Sequence, residues 1–433
     1  MTFVEAIAAK RDSETLDREQ IAAFVRGASN GSLPMEQLAA MLMAICCRGM
    51  DARETEWLTE EMLHSGEVWD LASDRPDAVD KHSTGGVGDT VSLILAPLLA
   101  AVGVPVAMMA GRGLGHSQGT LDKLDAIPGW DSHRDRRETL ALIDSCGAAI
   151  IAQTDDVAPA DRTLYALRDV TATVPSLPLI VGSIMSKKLA LGAGTLILDV
   201  KWGTGAFRKT VEEAHELAVA LRRVALGSGV RCEALVTDMN QPLGPALGTA
   251  CEVRETLAVL EGGGGAQLRE ATLRLCRETM VLGGWQAAEA EKTLIEALDN
   301  GAALAAWEKM VVAHGGDPNP ERLARPRTTV EVGANRGGFV AACEGEELGR
   351  VAAELGAGRR RVDEELDHGA GVLVHSRIGD RVETGQPLAT LLLGERVVDE
   401  ARLAERVRNS FEIDDQLVER PALIVGTVDE VLC

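Results

Sequence analysis

The sequence predicts an α/β fold: a helical domain assembled from two segments, a large α/β domain on a parallel-type sheet, and a C-terminal α+β module. Three observations predict it. Apolar residues recur at helical spacing, about every 3.6 residues, through positions 1–65 and again through 162–192. From about residue 79, short apolar strands alternate with glycine loops and helices, the texture of parallel strands joined by crossovers. The tail alternates apolar and polar residues, as antiparallel strands with one buried face do. The domains so read are 1–65 with 162–192, 79–161 with 193–315, and 316–433.

The elements follow in order. FVEAIAAKR, REQIAAFVRGA, MEQLAAMLMAICC and ARETEWLTEEMLHS read as four short helices, and SGEVWDLASDRPDAVD as a hinge. Val91 to Gly111 carries no charge over a membrane-span length, but Pro97, Gly103 and Pro105 interrupt it. A buried helix from Leu93 to Val102 and a buried strand from Pro105 to Ala110 account for it better. Residues 162–192 turn helical, an insertion that interrupts the α/β texture. TLILDVKWGTGAF reads as a strand with a glycine turn, and GVRCEALVTDMNQPLG as a strand with its loop. Helices continue to about 315 after the EGGGG linker at 261–265. GFVAACEG, AGVLVHSRIGDRVETGQPLATLLLG and PALIVGTVDE read as strands of the tail module. IGDRVETGQPL resembles the hairpins of biotin- and lipoyl-carrier domains, but no lysine follows Lys309, so the tail is read as structural.

Composition removes several function classes. The 433 residues carry 66 acidic against 44 basic side chains, a net charge of −22, which repels nucleic-acid backbones and anionic membranes. Only six Trp, one Tyr and five Phe are available as base-stacking surfaces. The segment MTFVEAIAAKRDSETLDR lacks the basic-then-apolar order of a secretory signal. Cysteines at 46, 47, 146, 232, 251, 276, 343 and 433 form no CxxC pair; they read as buried free thiols, and the location as cytoplasmic.

Two glycine loops concentrate the polar groups. DKHSTGGVGDTVS, Asp80 to Ser92, sets Lys81, His82 and Ser83 before glycines and a helix start, a combination that suits an anion. It is not a Walker A loop, because the GxxxxGK[ST] order is absent. GRGLGHSQGTLDKLDAIPG, Gly111 to Gly129, follows a strand and brings Thr120 to a helix start, where it either caps the helix or joins the anion site. Two such loops within forty residues favour a shared site at the carboxyl ends of neighbouring strands.

Lysine is rare, nine against thirty-five arginines, yet six lysines (81, 123, 187, 188, 201 and 209) fall between residues 81 and 209. Sites that accept a compact charge but not a planar fork would explain this; so would chance. In the helical insertion, Tyr165 and Arg168 share a helix face, as do Ser183 and Lys187. These groups suit the carbonyls and N3 of a flat heterocycle; ordinary surface charge is the other reading.

DKHSTGGVGD, GRGLGHSQGTLDKL, YALRDVTATV, SIMSKKLA and DMNQPLG closely resemble the pyrimidine-nucleoside phosphorylases, the family that includes thymidine phosphorylase. The resemblance runs over most of the chain and is densest at 80–260. It implies a homodimer that cleaves uridine, thymidine or deoxyuridine with inorganic phosphate, giving the base and an α-D-pentose 1-phosphate. By motif position, Lys81, Ser83, Ser92, Thr120 and the backbone at Ala110 would hold phosphate. Tyr165, Arg168, Ser183 and Lys187 would surround the pyrimidine, with His82 near its O2. His82, Arg168 and Lys187 would be the catalytic groups. The resemblance also implies a structural potassium ion held by Gly88, Thr90, Leu243, Ala246 and Glu255.

Three positions depart from the family pattern. Ala110 stands where serine is usual, Gln118 where glycine is common, and Met108 where broad-specificity members often carry lysine. Met108 points to the thymidine-specific branch, SIMSKKLA and DMNQPLG to the broad one. A phosphoribosyltransferase of related fold is the competing enzyme, but the sequence offers no evident carboxylate pair beside the loops for magnesium. A nucleoside-binding protein without activity is the other competitor, with Ala110 its one hint of a damaged cradle.

Overall fold

The structure, a computed structural model, describes residues 2–113, 117–359 and 364–430. The middle of the second glycine loop, Leu114 to His116, and Cys433 lie outside the described residues.

Four helices open the chain: α1 (Phe3–Arg11), α2 (Arg18–Asn30), α3 (Met35–Arg48) and α4 (Ala52–Leu63). Asp17 and Asp51 cap α2 and α4, each accepting from the backbone N–H three residues on, while Gln20 and Glu54 reach back to the cap. Then come β1 (Val79–Ser83), α5 (Val91–Ala101), β2 (Val106–Ala110), α6 (Thr120–Leu124), α7 (Arg136–Cys146) and β3 (Ala148–Ala152). Two helices follow, α8 (Pro159–Val170) and α9 (Leu177–Leu191), before β4 (Thr195–Trp202), α10 (Val211–Gly227), β5 (Arg231–Asp238) and β6 (Ala246–Gly248). Helices α11 (Ala250–Leu260), α12 (Ala266–Leu282), α13 (Ala287–Asp299) and α14 (Ala302–Ala313) lead to the tail. The tail carries β7 (Thr328–Gly333), β8 (Gly338–Cys343), α15 (Gly345–Ala352), β9 (Gly371–Val374), β10 (Arg381–Val382), β11 (Pro387–Leu393), α16 (Glu400–Asn409), β12 (Phe411–Asp414) and β13 (Ile424–Thr427).

The chain divides into two compact units. Unit 1 is Met1–Asp80, Gln153–Leu196 and Val219–Cys232; unit 2 is Lys81–Ala152, Ile197–Ala218 and Glu233–Cys433. Unit 1 thus takes in more chain than the helical segments read from texture, and the C-terminal module lies inside unit 2. Unit 1 packs α1–α4 with α8 and α9 around a core that includes Phe24, Leu42, Leu58, Leu164 and Leu179. Glu54 cross-links it: its carboxylate accepts from Lys10 Nζ at 2.7 Å and from Leu16 N at 2.8 Å, with both side chains of the ion pair buried.

The main sheet has the order β13-β5-β4-β1-β2-β3. β2 and β3 pair in parallel, and helices connect β1 to β2 and β2 to β3, as parallel neighbours require. α5 is buried along most of its length with Pro97 inside it, so the uncharged run is core, as the sequence predicts. Among the described residues, no helix is long and apolar enough to cross a membrane.

The tail strands, joined by β6 from earlier in the chain, form two antiparallel sheets, β10-β8-β12 and β6-β9-β11-β7, over a core that includes Val340, Val372, Leu391 and Val407. One expectation is corrected here. PALIVGTVDE reads as part of this module, but its strand β13 pairs antiparallel with β5 at the edge of the main sheet. The cysteine reading is corrected too: the seven described cysteines are free, but Cys47 is exposed and Cys46 and Cys146 are half-buried.

Candidate active site

The groups expected to hold phosphate lie in unit 2, at the carboxyl ends of two neighbouring strands. Lys81 and Ser83 are two apart on β1, so they leave the same face, and Ser83 ends the strand. Ala110 ends the adjacent strand β2, and Ser92 stands in the first turn of α5. The Lys81 ammonium is buried and donates to Ser92 Oγ at 3.1 Å. The Leu121 N–H donates to Gly111 O at 3.3 Å, tying the start of α6 to the end of β2.

Thr120 is the first residue of α6, and the cap is Gly119, one place earlier than either sequence reading assumes. The reason is the close crossing of the glycine loop: a Cβ on Gly119 would lie 2.2 Å from Gly113 N. Asp122 Oδ2 accepts from both of those backbone N–H groups, at 2.6 Å from Gly113 and 3.0 Å from Gly119. Gln118 is buried beside this crossing, and neither polar atom of its amide has a partner among the described residues. Met108 is buried within β2.

The structure also places carboxylates beside this cradle, which the sequence reading does not foresee. Asp199 Oδ2 lies 3.5 Å from Lys81 Nζ and 2.7 Å from Lys201 Nζ. Asp89 Oδ2 accepts from Ser83 Oγ at 2.7 Å, and Glu252 pairs with Lys123 at 2.6 Å. Burial alone would raise the Asp89 carboxyl, but the ammonium groups of Lys201, Lys81 and Lys123 outweigh it and hold Asp89 below the usual carboxylate range. Burial pushes Glu252 upward. Each of the three carboxylates is paired with lysine. The lysine clustering along the chain therefore has a structural basis: Lys81, Lys123, Lys188 and Lys201 are all buried and all paired with carboxylates.

A second loop crossing in unit 2 brings together the residues expected to hold potassium. Leu243 N and Gly244 N donate to Val87 O and Gly88 O, at 3.1 and 2.9 Å. A Cβ on Gly88, whose φ is +68°, would lie 2.9 Å from Gly244 O and 3.3 Å from Ala246 O. Glu255 Oε2 accepts from Ala246 N at 3.1 Å. Its other oxygen, and the Thr90 hydroxyl, are buried without a hydrogen-bond partner among the described residues. Burial pushes the Glu255 carboxyl up to about 8. The orphaned Glu255 oxygen, close to Gly244, and the crowded carbonyls of Gly244 and Ala246 are donors that fit a monovalent cation.

The groups expected to surround the pyrimidine lie in unit 1, on α8 and α9. Arg168 is buried; Nη1 donates to Leu179 O at 3.0 Å and Nη2 to Val174 O at 2.7 Å, while Nε is buried without a hydrogen-bond partner among the described residues. Its guanidinium lies 5.6 Å from the centre of the Tyr165 ring, which is itself exposed. Lys187 donates to Ser183 Oγ at 3.2 Å and forms an ion pair with Asp161. Sequence reasoning passes over Asp161, although its spacing of four and seven from Tyr165 and Arg168 puts it on their helix face. Lys188, next to Lys187, instead donates to Asp80 at 2.9 Å inside the unit. His82, half-buried, sits between Lys81 and Ser83 on β1 and so leaves the opposite face of the strand.

Comparison with known proteins bears on the family and the fold. Residues 75–304 match the glycosyl transferase family α/β domain, residues 4–66 its helical bundle domain, and residues 339–414 the pyrimidine nucleoside phosphorylase C-terminal domain. The chain is 42% identical over 436 aligned residues to the pyrimidine-nucleoside phosphorylase of Staphylococcus aureus strain bovine RF122 / ET3-1, covering 99% of this chain and all of that protein. The same identity and coverage hold for that of strain USA300. In fold, anthranilate phosphoribosyltransferase from Thermus thermophilus superposes with a TM-score of 0.55 at 19% identity, over 71% of this chain and 99% of that one. With its α/β domain, its helical bundle domain and its full-length relatives all in agreement, the chain belongs to the pyrimidine-nucleoside phosphorylase family of glycosyl transferases.

Proposed function

We propose that the protein catalyses the reversible phosphorolysis of pyrimidine nucleosides (uridine, thymidine and deoxyuridine) to the free base and the (2-deoxy)-α-D-ribose 1-phosphate. The observation that carries this reading is the buried Lys81–Ser92 pair at the carboxyl end of β1, beside a glycine loop and the start of α5. That is a place for an anion. Lys81, Ser83, Ser92, Thr120 and the backbone at Ala110 would hold inorganic phosphate, the co-substrate.

A phosphate oxygen attacks C1′ while the C1′–N1 bond breaks and its electron pair leaves with the base. The sugar gains cationic character and the base gains negative charge. Arg168 and Lys187 counter that charge as it develops, an interaction stronger in the transition state than in the ground state. Ser183 and Tyr165 orient the ring, and His82 supplies a hydrogen bond or proton toward O2. A potassium ion at Gly88, Thr90, Leu243, Ala246 and Glu255 would neutralise the Glu255 carboxylate and tie together the two crossing loops. We also read the enzyme as a homodimer working in the cytoplasm, a location that free thiols suit.

The test is release of uracil from uridine and thymine from thymidine, with and without phosphate and with EDTA present. Release that needs phosphate and ignores EDTA supports the proposal. Release only from the nucleoside 5′-monophosphates, and only with pyrophosphate and magnesium, would favour the phosphoribosyltransferase reading, and ligand binding without release an inactive binder.

A further inference from the structure

Six polar groups in unit 2 form a continuous chain: Ser92, Lys81, Asp199, Lys201, Asp89 and Ser83. Lys81 lies 3.1 Å from Ser92 Oγ and 3.5 Å from Asp199 Oδ2. The same Asp199 oxygen lies 2.7 Å from Lys201 Nζ, which in turn lies 3.7 Å from Asp89 Oδ2. That Asp89 oxygen accepts from Ser83 Oγ at 2.7 Å. Both ends of the chain, and Lys81 within it, are groups assigned to phosphate; its centre, Lys201, is not.

We propose that Lys201 is the positioning residue of the phosphate cradle, holding Asp199 and Asp89 so that Lys81 and Ser83 stay aimed at the anion, and cancelling the repulsion those two carboxylates would exert on it. This rests on the phosphorolysis reading above.

Lys201 acts through its neighbours. It is fully buried, with its ammonium set between the two carboxylates. Burial works against its charge, and Asp199 and Asp89 outweigh that effect and raise its pKa. It and Asp199 are two apart on β4, so they leave the same face of the sheet, and β1 is the neighbouring strand. The backbone is locked there: Lys201 N donates to Thr84 Oγ1 at 2.9 Å and Thr84 N to Asp199 O at 3.0 Å. Thr237 Oγ1 donates to the remaining Asp199 oxygen at 2.6 Å, so Asp199 is held from both sides. Without Lys201, two carboxylates would face the incoming phosphate with only Lys81 and Lys123 left to offset them. Asp89, less neutralised, would then hold the Ser83 proton it already accepts more strongly against the phosphate.

The experiment measures KM for phosphate and KM for uridine separately in wild type, Lys201→Met, and Lys201→Met with Asp199→Asn. The single variant is expected to raise the phosphate KM by about tenfold or more, with the uridine KM changed by less than about twofold. Removing the Asp199 charge as well is expected to recover much of the phosphate KM, because charge balance is restored. A folded Lys201→Met enzyme with unchanged phosphate KM, with equal changes in both KM values, or with no recovery in the double variant would overturn the proposal. If Lys201→Met does not fold, Thr237→Val loosens Asp199 more gently. It should raise only the phosphate KM, about threefold, and no change there overturns the proposal. Absence of phosphate-dependent release in the wild type would instead overturn the activity itself, and this inference with it.

Discussion

Lys187 on α9 and Asp161 on α8 form an ion pair that also orders Ser183, because Lys187 donates to Ser183 Oγ at 3.2 Å. Asp161 is almost wholly buried, and that lysine is its ion-pair partner.

This pairing separates stability from catalysis. Lys187→Ala is expected to lower kcat/KM on the order of 10²-fold, as is Arg168→Ala, because each removes a cation facing the departing base. Lys187→Ala also strands the Asp161 carboxylate, at a cost of about 2 kcal/mol after discounting for the part-exposed lysine. Adding Asp161→Asn to Lys187→Ala should restore much of the thermal stability and none of the rate. Near-normal turnover in both single variants would show that the base is held elsewhere.

Ala110 provides a gain-of-function test. It ends β2 where the family usually has serine. Ala110→Ser is expected to lower the phosphate KM by about threefold, the worth of one modest hydrogen bond, and to leave the uridine KM alone. Steady-state kinetics with varied phosphate would check it, and an unchanged value would mean that the backbone alone serves at this position.

Potassium should stabilise the protein by mass action. Thermal unfolding in potassium chloride is expected to lie higher than in tetramethylammonium chloride at equal ionic strength. In Glu255→Gln that increment should largely vanish, while the variant without potassium unfolds above the wild type, because a buried carboxylate has gone. Equal increments in both proteins would remove Glu255 from the cation site.

His314 supplies a pH dependence. It stacks on Trp130 with centroids 4.1 Å apart, its Nδ1 lies 3.0 Å from Asp131 O, and burial lowers its pKa to about 4. The folded state therefore binds fewer protons than the unfolded state between about 4 and the ordinary value near 6.5. The stabilisation is complete above that window and is lost as pH falls through it. His314→Gln should be less stable at pH 7, where the stacking is missed, yet show a shallower loss between about pH 6.5 and 4 in urea titrations. An identical slope would mean that other groups carry the acid sensitivity.

Much of the fold is legible because its causes are local. The helices of the first 65 residues, the buried α5 and β2, and the glycine loops all follow from spacing and turn chemistry within a few residues. The cap of α6 falls one place before Thr120, since its identity depends on Gly113 and Gly119 crossing at close range. β13 joins a different sheet from the one its texture suggests, because a short alternating strand does not carry the address of its partner, here β5.

The sequence by itself determined the elements, the residue types at the positions proposed to recognise base and phosphate, and the scarcity of lysine outside residues 81–209. Only the tertiary structure decided what those lysines answer to. Lys188 meets an Asp80 that lies 108 residues away, and Lys201 stands between Asp199 and Asp89. Charges pair by distance in space inside a low-dielectric core, where leaving one alone is costly, and the order of residues along a chain does not encode that distance.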